Sequence, residues 1–175
     1  MNCLPSLRGN PSVLLLASMQ LAGCLTVSDF DLDRPVPEQA LVGSAVRAPL
    51  PPTFPLALSL DLSTNLARYP RGVEVKLDTL TLTITDAKRP AGDADDFAFV
   101  DTLRVYVTGT TLPRVEIAHA RQHGATQTLE FGVADDLDLA PYVREATKVD
   151  AVGSGTLPSD DISFDGRIVF RVHPM

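Results

Sequence analysis

The feature that most constrains this chain is an apolar side chain at every second position, repeated through its C-terminal two-thirds. FPLALSLDL places Leu56, Leu58, Leu60 and Leu62 on one face, with Ser59 and Asp61 on the other. GVEVKL aligns Val73, Val75 and Leu77, and LTLTITD aligns Leu80, Leu82 and Ile84. Successive side chains of a strand point to opposite sides, so this spacing reads as half-buried strands and not as amphipathic helix. The parity changes from odd to even across Asp78 and Thr79. An unbroken strand would there turn its apolar face to water, so a β-bulge or a break belongs at that point.

The period continues downstream. FAFVDTLRVYV carries Phe97, Phe99, Leu103, Val105 and Val107 on one parity; LPRVEIA supplies Val115 and Ile117; TLEFGV supplies Leu129, Phe131 and Val133. KVDAVGSG is a weaker strand. ISFDGRIVFRV closes the chain with Ile162, Phe164, Ile168, Phe170 and Val172 inward and Gly166 between them. DLDLAPYVREA is the one plausible helix, a turn or two near Leu139 to Glu145, with Pro141 admissible in its first turn. About seven to nine strands with turn signals every 8–12 residues or so predict an all-β fold, an antiparallel β-sandwich of Ig-like or Greek-key type.

Upstream, Pro35, Pro37, Pro49, Pro51, Pro52 and Pro55 divide the chain. Proline lacks the amide hydrogen and fixes φ, which excludes a long helix or a central strand. Residues 24–53 therefore read as a tether, with a possible short strand near 40–46, and residues 54–175 as the sandwich domain. Residues 1–23 read as a secretory signal segment. Arg8 supplies positive charge, Val13 to Met19 a short apolar run, and Ala22 and Gly23 small residues before a break. The run is shorter than the roughly 20 apolar residues a bilayer span needs.

Leu21-Ala22-Gly23-Cys24 resembles the lipobox of bacterial lipoproteins residue for residue. The resemblance implies that the Cys24 thiol is alkylated with diacylglycerol and that cleavage before it discards Cys3. The new N-terminus is then usually acylated. In lipoproteins of the enterobacterial type an Asp after the cysteine favours inner-membrane retention. Leu25 stands here, which implies the outer membrane. The alternative is a signal peptide cut conventionally, leaving Cys24 a free thiol.

The formal net charge of −7 repels phosphate backbones and anionic headgroups, so neither nucleic acid nor electrostatic membrane adhesion is expected. Membrane attachment then needs a hydrophobic anchor. Each buried CH₂ contributes about 0.8 kcal/mol, and two acyl chains hold stably. No cysteine follows Cys24, so the folded part has neither a disulfide nor a thiolate metal site. With 45% hydrophobic residues, its stability comes from an apolar core.

Candidate chemistry is sparse. Asp93, Asp95 and Asp96 share one loop, Asp135, Asp136 and Asp138 a second, and Asp160, Asp161 and Asp165 a third. Carboxylates of the first and third, Asp93, Asp95, Asp96, Asp160 and Asp161, could converge on calcium, which takes six to eight oxygens. The bland alternative is solvated loop tips. His119 and His123 have a helical zinc spacing on a segment that reads as strand and loop. Gly153-Ser154-Gly155 lacks the frame of a nucleophile elbow and reads as a flexible turn. Arg68, Tyr69 and Arg71 in ARYPRG form a possible recognition patch or a solvated turn. No cofactor is expected. DDFAFVDTLRVYV and DDISFDGRIVFRV share a pattern, which could mark a duplication, equivalent loop–strand corners of a sandwich, or acidic strand entries that merely look alike.

The succession VPEQALVGS, PLPPTFPLALSLDL, DDFAFVDTLRVYV, LPRVEIA, DLDLAPYV and LPSDDISFDGRIVFRV is similar to uncharacterised envelope lipoproteins of proteobacteria and myxobacteria. That resemblance implies a location and a plausible fold, and no catalytic residue. The expected function is a non-catalytic binding or assembly module, anchored through Cys24 and meeting an envelope protein. The rival is a carrier or sensor of an apolar small molecule or lipid. A hydrolase with an unrecognised site is the third reading.

Overall fold

The computed structural model describes residues 28–67, 69, 72–88, 95–121, 124–144 and 147–175. Among them, nine strands form two antiparallel sheets packed as a sandwich. One sheet has the order β1-β9-β3-β6, from β1 (Phe30–Leu41), β9 (Ile162–Pro174), β3 (Val73–Thr85) and β6 (Thr128–Glu130). The other has the order β2-β8-β4-β5-β7, from β2 (Thr53–Phe54), β8 (Lys148–Gly155), β4 (Val100–Thr108), β5 (Val115–Arg121) and β7 (Gly132–Val133).

Period two explains most of this. GVEVKL and LTLTITD form one strand, β3, with the expected irregularity. Its register against β9 slips between Leu77 and Thr79, leaving Asp78 as the extra residue. Val73, Val75, Leu77, Leu80, Leu82 and Ile84 are consequently all buried. Strands β6 and β7 are consecutive, separated by Phe131, so the chain changes sheets there and closes one side of the sandwich. The Phe131 N–H donates to the Leu80 carbonyl at 3.1 Å. Between the sheets, the Phe164 ring lies 5.2 Å from Phe54 and 6.3 Å from Phe97, centroid to centroid. Phe170, Leu62, Leu103 and Ile168 are fully buried in the same core.

The two similar segments differ in structure: residues 97–99 form a turn ahead of β4, whereas residues 162–164 already belong to β9. One leads into β4, the middle strand of its sheet, and the other into β9, an inner strand of the opposite sheet. Leu103, Val105 and Val107 face the core as Ile168, Phe170 and Val172 do.

The N-terminal expectation needs correction. Much of the stretch read as a tether is the first strand of the sandwich, since β1 pairs with β9 from Phe30 to Leu41. The sandwich therefore starts at Phe30, ahead of residue 54, and the strand foreseen near 40–46 is only the end of β1. Proline is tolerated because β1 is an edge. Arg34 pairs with Ile168 and Val36 with Gly166, on either side of Pro35, whose nitrogen carries no hydrogen. The ladder bonds must then fall on the even positions, and Pro35 turns its backbone outward.

Two further readings change. Leu56, Leu60 and Leu62 are buried as expected, yet residues 55–62 form no strand. This segment alternates like a strand without a ladder partner, then enters the short helix α1 (Ser63–Leu66). Gly153-Ser154-Gly155 is not a turn, because it lies in β8, where Ser154 Oγ and Thr102 Oγ1 are hydrogen-bonded at 2.7 Å. Helix α2 (Ala140–Val143) stands where a helix was expected, with Pro141 in its first turn.

Candidate functional site

A surface groove of about 510 Å³ runs between edge strand β1 and residues 57–61. Arg34, Pro35, Pro37, Leu58, Ser59, Asp61 and Ile168 line it. Its two walls are bridged twice. The Ala57 N–H donates to Gln39 Oε1 at 2.8 Å, and Arg34 Nη2 donates to Asn65 Oδ1. Hydrogen bonds from the Ser63 hydroxyl and backbone N–H hold the Asp61 carboxyl below its usual range, helped by the Arg34 charge. A prolyl wall offers carbonyl acceptors and no donors at Pro35 and Pro37, which blunts this edge against strand addition. The groove thus combines apolar side chains, Leu58, Ile168 and two prolines, with one cation and one anion.

A second polar cluster lies on the outer face of β4 and β5. Tyr106 pairs with Glu116 and Val105 with Ala118, so Ile117 is an extra residue. That bulge buries both Ile117 and Ala118. It also puts Glu116 and His119 on the same outer face, with Nδ1 of His119 3.4 Å from Oε1 of Glu116. Arg104 Nη1 lies 3.5 Å from the other Glu116 oxygen. Nearby, the Arg114 guanidinium covers the Tyr106 ring at 3.5 Å and pairs with Asp150 at 2.5 Å.

The residues singled out by sequence fall as follows. Asp95 is buried, 7% exposed, while Asp96 Oδ1 accepts the Ala98 N–H at 2.7 Å. Asp161 Oδ1 accepts the Gly43 N–H at 3.0 Å, and Asp160 Oδ1 accepts the Ser159 hydroxyl at 3.3 Å. Asp138 Oδ1 accepts two N–H groups, Val75 at 3.0 Å and Ala140 at 2.8 Å. The carboxylates of Asp96, Asp138 and Asp161 thus fasten backbone N–H groups of loops and element ends. Among the described residues, no three His, Cys, Asp or Glu side chains are grouped to hold a metal ion. Tyr69 stacks on Phe30 at 5.4 Å. Cys24, Arg68, Arg71, Asp93 and His123 lie outside the described residues, as does the signal segment 1–23. Among the described residues no helix is long and apolar enough to cross a membrane.

Sequence reasoning missed Arg34, because its surroundings read as tether. It also missed the Glu116–His119 pair, for which a signal existed: Ile117-Ala118, two adjacent apolar residues between two polar ones, is the pattern a bulge leaves in a strand. No family model matches the chain, and no curated protein matches it.

Proposed function

We propose that this chain is a lipid-anchored lipoprotein of the bacterial envelope, in the outer membrane, whose sandwich is a non-catalytic binding or assembly module for an envelope protein. The observation that carries the reading is Leu21-Ala22-Gly23-Cys24, placed directly after a short apolar run. An acidic chain with no thiol beyond Cys24 fits it. Such a protein gains little from headgroup electrostatics and needs acyl chains to stay on a membrane. Metabolic labelling with a palmitate analogue tests it, comparing the native chain with Cys24→Ala. Label and membrane fractionation are expected for the native chain alone. A native chain that takes no label overturns the anchor. Cross-linked pull-downs of the lipidated form that recover no reproducible envelope partner count against the module.

The β1 groove favours a second reading, a carrier or sensor of an apolar small molecule. Its volume of about 510 Å³ is within the roughly 300–1,000 Å³ of small-molecule sites. Leu58, Ile168 and the two prolines supply apolar wall. Since side chains fill the space between the sheets, the ligand would sit on this outer edge. Native mass spectrometry of protein taken from its own envelope should then carry an added mass that a Leu58→Asp variant loses; bare protein alone would sink the idea.

A further inference from the structure

We infer that the sandwich stands end-on on the bilayer, resting on the end where β1 begins. This inference rests on the lipid anchor proposed above and adds the surface that meets the lipid. Five residues separate Cys24 from Phe30. Fully extended they span no more than about 20 Å. Phe30 itself is fixed, paired with Val172 of β9 and stacked on Tyr69. The twelve-residue strand β1 then runs roughly 40 Å away from that point. Inverting the domain would require the leash to run back along this whole length, which it is too short to do.

Charge separates end-on from flat. The outer faces of both sheets carry rows of ion pairs, Asp33 with Arg167 on one and Glu116 with Arg104 on the other. Laying either face on lipid would take these charged groups out of water, at a cost no apolar contact there offsets. The end near Phe30 carries the Asp29–His173 pair at its rim beside an exposed apolar side chain, and the reach of the leash selects it over the far end, where Val42 and Val46 are exposed. Met175 is 77% exposed, and its N–H donates to the Gly72 carbonyl at 3.3 Å, which holds it beside the start of β3. The far end carries the loop of Asp160 and Asp161, with Val46 exposed at 75% close by. That end is directed away from the membrane and is the one a partner meets first.

The test uses the mature, lipidated chain in phosphatidylcholine vesicles. Its only native thiol is consumed by the anchor, so Met175→Cys or Val46→Cys gives a single labelling position. Nitroxide at position 175 is expected to relax several-fold faster with a lipid-borne relaxer than nitroxide at position 46. A water-borne relaxer should give the opposite order. A long Gly-Ser insertion after Ser28 should abolish the difference. Equal or inverted relaxation in a chain whose mass shows acylated Cys24 overturns the orientation and leaves the anchor standing. A chain with no acyl mass at Cys24 overturns the anchor, and the orientation falls with it.

Discussion

Arg167 of β9 donates through Nε to Asp33 of β1 at 2.8 Å, joining side chains 134 positions apart in the chain. The pair is one rung of a ladder on the outer face, continued by Arg171 with Asp31 at 3.3 Å and His173 with Asp29 at 2.8 Å. Two successive outward residues of the edge strand, and Asp29 just ahead of it, thus meet the basic residues of β9. These contacts are exposed, so each is a weak cross-strand preference that aids register more than stability.

The Arg167 hydrogen bond lowers the Asp33 pKa below its ordinary value of 3.8, and the Arg167 charge acts in the same direction. A group whose folded pKa is depressed stabilises the fold above its unfolded pKa and loses that contribution as pH falls through the folded value. Urea midpoints of the native chain and Asp33→Asn should therefore differ by a small constant amount at neutral pH. The gap should close as pH drops below about 4. A gap unchanged down to strong acid would show that the charge pair contributes nothing.

Phe164→Ala should be the severe core substitution. The ring is fully buried between Phe54 and Phe97 and joins the two sheets at one corner. Losing it costs the transfer energy plus a cavity, about 3–5 kcal/mol. Equilibrium unfolding in urea measures this, and a loss below about 1 kcal/mol would mean that the corner collapses freely.

Gly155 ends β8 with φ at +149°, and a Cβ there would lie 2.1 Å from the Phe99 carbonyl oxygen. Both the backbone conformation and the contact exclude a side chain. Gly155→Ala should destabilise by about 1–3 kcal/mol from backbone strain, with the clash adding to it. Differential scanning calorimetry should record a lower Tm; an unchanged Tm would require β8 to shift without cost.

Pro35 keeps the outer edge of β1 free of a donor at its centre. Pro35→Thr restores an N–H to that edge, and the double substitution with Pro37→Thr opens it further. Sedimentation velocity of the variants should show concentration-dependent self-association beyond that of the native chain. Variants that associate no more than the native chain would mean that residues 57–61 alone guard the edge.

Periodicity along the chain was enough to determine that this protein is all-β, which residues of most strands face its core, and that a bulge or a break falls at Asp78-Thr79. Each of these depends on whether neighbouring side chains go to water or to oil, which a strand records locally in its own sequence. What the tertiary structure decided is hydrogen-bond partnership. Residues 56–62 alternate well yet have no ladder, while Phe30–Leu41, broken by prolines, is a twelve-residue strand. The reason is that β1 takes its partner from β9 at the far end of the chain, and its Pro35 falls where the backbone faces outward. The groove at Arg34 arises from the same decision, since one of its walls is that edge. The Glu116–His119 pair likewise depends on a bulge that forms only when β5 is laid against β4.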